Sequence, residues 1–79
     1  MFTRDYQVFL RHLRAVRERY GLTQAQLAER LNETQSVVSK CERGDKRLDI
    51  VEVIAFCRGI GIPFSQFALE LEKLMGEDN

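Results

Sequence analysis

Apolar residues recur at helical spacing in every stretch between the chain's few breaks, which restricts the fold to packed helices. From Asp5 to Tyr20, the residues Tyr6, Phe9, Leu10, Leu13, Val16 and Tyr20 share one side of a helix, and Gly21 supplies a left-handed stop. Thr23 and Gln26 have capping-box spacing ahead of Leu27, Ala28 and Leu31, so a second helix is expected to run to about Leu31. Asn32, Glu33 and Thr34 make the turn, Thr34 caps a third helix over Gln35 to Arg43, and Gly44 ends it. Asp49 caps a fourth helix, with Glu52 at the reciprocal position. Its Ile50, Val51, Val53, Ile54, Phe56 and Cys57 predict a helix buried nearly all round. The segment GIGIP breaks it, and Phe64, Phe67, Ala68, Leu71, Leu74 and Met75 mark a fifth helix over 64–75 that ends near Gly76. No stretch alternates like a strand and no repeat or linker interrupts the pattern, while the last three residues are expected to fray. The reading is one compact all-α, five-helix domain over residues 1–79.

A chain of 79 residues has room for one modest core and leaves a large share of its surface in water, which disfavours an enclosed active site. With 44% hydrophobic and 30% charged residues it is too apolar to be disordered. No apolar run approaches membrane-spanning length and no leader pattern opens the chain, so a cytoplasmic location without membrane contact is expected. Cys41, Cys57 and the single histidine, His12, lack the number and spacing of a zinc site or a disulfide framework. The two thiols read first as small core residues, with a redox switch at Cys41 as the sharper reading. No cofactor or metal is implied, and neither a carboxylate pair nor a glycine-rich phosphate loop suggests a reaction, so an enzyme is not expected.

The formal net charge is zero, but it conceals an asymmetry. Residues 1–47 hold ten Lys/Arg against six Asp/Glu, a balance of +4, and residues 48–79 hold two against six, a balance of −4. One half can face phosphate while the other faces solvent or a partner.

The third helix has an unusual outer face. At about 100° per residue, Gln35, Ser39, Arg43, Ser36 and Lys40 fall within an arc of roughly 140°, opposite Val37, Val38 and Cys41. A merely solvated face favours Glu and Lys, whereas Gln and Ser are mediocre helix formers at exposed positions. They are groups that can read base edges: Gln pairs with adenine, Lys reaches guanine and Ser donates or accepts. A second anomaly lies in the first helix, where Arg17 sits within the apolar stripe. Glu42 lies at the inward edge of the third helix. An unpartnered buried charge is costly, so an Arg17–Glu42 ion pair is expected to lock the two helices together, the alternative being an Arg17 that reaches out to water.

The stretch GLTQAQLAERLNETQSVVSKCERG resembles the lambda-repressor-like, XRE-type helix-turn-helix family, and the similarity extends over Leu10 to Ile62. In that family the second helix of the motif enters the major groove of DNA. The resemblance implies base-reading roles for Gln35, Ser36 and Lys40, with Ser39 nearby. It implies that Gln24 binds phosphate and braces Gln35, and that Thr34, Arg43, Lys46 and Arg47 meet the DNA backbone. The family also pairs an Arg with a Glu where Arg17 and Glu42 stand. Arg43 replaces the asparagine common before the motif-ending glycine, and Leu48 and Asp49 stand where a proline often precedes the fourth helix. Val37 is open to two readings, core residue or contact to a thymine methyl.

One domain with four or five phosphate contacts binds weakly, so a homodimer on a pseudo-palindrome is expected, with the two copies of Gln35 about 34 Å apart. The candidate dimer surface is Ile60, Ile62, Phe64, Phe67, Leu71 and Leu74, against the alternative that the fifth helix packs back on the first. Glu70, Glu72, Glu77 and Asp78 would then point away from DNA. A competing reading is an antitoxin or interaction module that binds a protein partner through the fifth helix.

Overall fold

Side-chain oxygens start four helices. Thr3 Oγ1 accepts the Tyr6 N–H at 3.1 Å, Thr23 Oγ1 that of Gln26 at 3.1 Å, Thr34 Oγ1 that of Val37 at 3.3 Å and Asp49 Oδ1 that of Glu52 at 2.8 Å. Gln26 and Glu52 return the bond to the cap backbone, which completes both expected capping boxes. The computed structural model describes residues 3–77 as α1 (Arg4–Arg19), α2 (Gln24–Leu31), α3 (Gln35–Arg43), α4 (Ile50–Ile60) and α5 (Phe64–Glu77). Of the last three residues, expected to fray, Glu77 is helical, and Asp78 and Asn79 lie outside the described residues.

Asn32 makes the sharp turn between α2 and α3 with φ 57° and ψ 43°, a left-handed conformation that asparagine tolerates better than most residues. α1 packs against α3 and α5, α2 against α3 and α4, and α4 against α5. Their shared core holds Leu13, Leu27, Val38 and Cys41, all fully buried, with Val16, Cys57, Ile60 and Phe67 beside them.

One glycine expected to break a helix lies inside it. α4 continues through Gly59 to Ile60, and Gly61, at φ 104°, caps it instead. Gly59 is small for a packing reason: a Cβ there would stand 2.9 Å from Leu31 Cδ2 and 3.1 Å from Leu27 Cδ1, so α2 and α4 approach closely at this point. α5 includes Gly76 and extends to Glu77, the last described residue.

Nor is α4 buried all round. Val53, Phe56, Cys57 and Ile60 face the core, but Ile50 is 60% and Val51 70% exposed. Val51 lies off the inward stripe, and Ile50 borders an open groove at the start of the helix.

The dimer-surface expectation is corrected for three residues. α4 and α5 meet at a bend of 111°, which folds α5 back across the core. Ile60, Ile62 and Phe67 are thereby buried within the chain itself, at 2%, 2% and 1% exposure. Phe64 and Leu71 pack against the same core but stay half-buried, and Leu74 is also half-buried.

Arg17 and Glu42 pair as expected. Arg17 Nε donates to Glu42 Oε2 at 2.5 Å and Nη2 to Oε1 at 3.0 Å, in a two-pronged contact between side chains 7% and 4% exposed. Arg17 Nη1 donates to the Leu22 carbonyl at 2.7 Å, and Gln24 Nε2 donates to Glu42 Oε1 at 3.0 Å. No polar side-chain atom buried among the described residues lacks a partner, so the network is fully satisfied.

His12 plays the corresponding part between α1 and α5. It is 5% exposed, its ring lies 4.5 Å from that of Phe67, and Nε2 is 3.2 Å from the Phe67 carbonyl. Because that carbonyl can only accept, Nε2 carries the proton of the neutral ring. Burial pushes the His12 pKa below its ordinary 6.5, against the opposing pull of the Phe67 carbonyl and Glu70.

These contacts give two predictions. Arg17→Met should lower stability by about 3–5 kcal/mol in urea unfolding, because it strands Glu42, while adding Glu42→Leu should recover most of the loss. Failure of the double variant to recover any stability would assign the loss to packing rather than to the stranded charge. For His12, the unfolded chain takes the proton more readily than the folded one, so stability should hold above about pH 7 and fall as pH drops below 6.5 toward the lowered folded value. That decline should be absent in His12→Gln, measured by urea midpoints between about pH 5 and pH 8.

Candidate nucleic-acid interface

α3 owes its position to its inner side. Val38 and Cys41 are fully buried, and Val37 is half-buried against the core, which favours the core reading of that residue. The opposite side is thereby held outward. Gln35, Ser36 and Lys40 are exposed, and among the described residues their side chains make no hydrogen bond or ion pair. They therefore remain available to an incoming ligand.

Ser39 is half-buried, and its Oγ accepts Arg43 Nη1 at 2.7 Å. Arg43 also holds Asp45, with Nε and Nη2 at 3.1 and 3.0 Å from Oδ2. Ser39 thus braces an arginine and keeps its hydroxyl proton free to donate. Gln24 stands at the start of α2, but its amide donates to Glu42 rather than to Gln35. The expected brace of Gln35 is therefore not made among the described residues, and Gln24 supports the buried ion pair instead.

Beyond α3 the basic residues differ in how their charge is met. Lys46 Nζ lies 2.8 Å from Glu52 Oε2 on the surface, and that contact raises the lysine pKa. Exchange of such an exposed partner for phosphate costs little. Arg47 has no carboxylate partner among the described residues; its guanidinium carbon lies 4.2 Å from the centre of the Tyr6 ring. Tyr6 also accepts the Leu48 N–H at 3.2 Å through its hydroxyl. The sequence reading missed this role for Tyr6, because as one more member of an apolar stripe it carries no sign of a bond to a residue 42 positions away.

Next to Tyr6 lies an open groove of about 570 Å³ among α1, α4 and α5, with Phe9, Ile50, Val53, Phe64 and Leu71 on its walls and Arg47, Asp5 and Glu72 among its lining residues. Of the acidic residues expected to stand apart, Glu70 is held by Arg19 Nη2 at 3.0 Å. Burial raises the Glu70 pKa, but the Arg19 and Gln66 bonds outweigh it and leave the carboxyl below its ordinary value.

Among the described residues no group of three or more His, Cys, Asp or Glu side chains is placed to hold a metal ion, and no single helix is long and apolar enough to cross a membrane. Both cysteines are free and buried. Burial raises the Cys41 thiol pKa and pushes that of Cys57 up to about 11, so neither forms the reactive thiolate readily.

The helix-turn-helix domain family model matches residues 8–69. A solved structure of an XRE-family like protein from Pseudomonas syringae pv. tomato str. DC3000 is 43% identical, covers 89% of this chain and 85% of its own, and superposes with a TM-score of 0.82. This chain belongs to the XRE-type helix-turn-helix family. It is a DNA-binding regulator, with α2 and α3 as the motif. Among curated proteins, none matches the sequence.

The burial of Cys41 carries a test. Mild oxidant should leave DNA binding unchanged in both the parent protein and Cys41→Ser, and thiol alkylation should proceed only as fast as the protein opens. Rapid labelling of Cys41 in folded protein would restore the redox reading.

Proposed function

We propose that this XRE-type regulator binds double-stranded DNA sequence-specifically by placing α3 in the major groove. The observation that carries the reading is the outer face of α3, where Gln35, Ser36 and Lys40 stand exposed and, among the described residues, without a partner. An amide, a hydroxyl and an ammonium at that spacing match the donors and acceptors of base edges, and Ser39 contributes its remaining proton. Gln24, Thr34, Arg43, Lys46 and Arg47 supply the sequence-independent contacts to phosphate, and Arg17 with Glu42 holds the two motif helices in register. The protein carries out no catalysis in this reading.

Two copies bind a pseudo-palindrome with half-sites about one DNA turn apart. After the loss of Ile60, Ile62 and Phe67 to the core, Phe64, Leu71 and Leu74 remain as the α5 contribution to the dimer. A second reading, in which a protein partner also docks on α5, draws support from the open apolar groove beside it and from exposed Ile50 and Val51.

Selection of bound duplexes from a random DNA pool should enrich an inverted repeat. No enrichment by folded protein would shift the function to the protein partner. Gln35→Ala should then cost about 1–3 kcal/mol at the selected site and blur preference at one base pair. Retention of full preference would remove Gln35 from the readout.

A further inference from the structure

Three cations follow one another around the end of α3, and they are not equivalent. Arg43 and Lys46 each touch a carboxylate, Asp45 and Glu52. Arg47 is held instead by the face of an aromatic ring, at 4.2 Å from the Tyr6 centroid, and has no carboxylate partner among the described residues. A ring attracts the guanidinium without neutralising it, so the full charge stays available to an anion.

The same ring governs the backbone that carries Arg47. Leu48 lies one residue before the Asp49 cap, and its N–H donates to the Tyr6 hydroxyl at 3.2 Å in partly buried surroundings. An amide left unpaired there would favour another arrangement of the link between α3 and α4. Tyr6 is itself fixed within the first turns of α1, with its ring 5.2 Å from that of Phe9, which is buried. One side chain on α1 therefore fixes both the link's backbone and the cation next to it.

We infer that Tyr6 is a positioning residue for DNA binding: it presents Arg47 to the phosphate backbone by stacking beneath the guanidinium and accepting the Leu48 N–H. The inference rests on the DNA-binding reading above. A long arginine side chain on a free link loses rotamer freedom when it meets phosphate, and Tyr6 removes most of that loss before DNA arrives. The aromatic at position 6 acts through Arg47 and touches no base.

The test is a double-mutant cycle on the selected duplex, read as dissociation constants at several salt concentrations. Tyr6→Leu should weaken binding by about three- to tenfold. Tyr6→Phe keeps the stack and loses the hydroxyl, so it should fall between Tyr6→Leu and the parent. Arg47→Ala should reduce the salt slope by about one unit. In the Arg47→Ala background, Tyr6→Leu should cost less than about twofold, because the group it positions is gone. Thermal melts establish that each variant is folded, and amide exchange at Leu48 should quicken in Tyr6→Phe.

Equal losses from Tyr6→Leu with and without Arg47 would overturn the inference and leave Tyr6 a packing residue. So would an Arg47→Ala variant with unchanged affinity and slope. If Gln35→Ala still blurred base preference in that case, the DNA-binding reading would stand without Tyr6. A parent protein that binds no duplex would remove both.

Discussion

The buried pair of Arg17 and Glu42 is the contact on which the remaining geometry depends. It joins α1 to α3 directly, reaches the link before α2 through the Leu22 carbonyl and gathers the first residue of α2 through Gln24. Two charges withdrawn from water are tolerated only where their hydrogen bonds are met in a fixed arrangement, and here four bonds meet that demand. The angle between α2 and α3 is thus set by directional bonds as well as by the apolar contacts beneath them. A core of this size, packed only by shape, would permit more than one arrangement of so short a helix.

The same network accounts for what α3 offers outside. Because Val38, Cys41 and Glu42 are all committed inward, rotation of the helix about its axis would expose two apolar groups and break the ion pair. Gln35, Ser36 and Lys40 are held to the exterior by that opposition. Among the described residues they have no internal partner, whereas Arg19, Arg43 and Lys46 are each matched to a carboxylate.

This distribution also explains how a chain with no net charge suits a polyanion. Glu52 and Glu70 belong to the acidic half of the sequence, yet in the fold each faces a basic residue from the other half. Lys40 and Arg47 have no such carboxylate among the described residues. Which cations remain uncompensated depends on the fold, and the sum over the chain does not report it.

The sequence by itself determined the helices, the caps at Thr23, Thr34 and Asp49 and the face of α3, because each follows from short-range geometry. A threonine accepts an N–H three residues on, and a period of 3.6 sorts inward from outward, whatever the rest of the chain does. The Arg17–Glu42 pair was legible for a related reason, since pairing is the most economical way to satisfy two charges turned inward. Tertiary structure decided the rest. Gly59 reads as a breaker until Leu31 of another helix is seen to fill the space its side chain would occupy. Ile60, Ile62 and Phe67 read as surplus apolar surface until the bend after α4 folds α5 over them, and Ile50 and Val51 read as core until the first turn of α4 is seen to reach beyond its neighbours. Tyr6 is hidden most completely. Its hydroxyl and ring meet a link 41 and 42 positions away, and only the packing of α1 decides which backbone amide and which arginine that link brings to it.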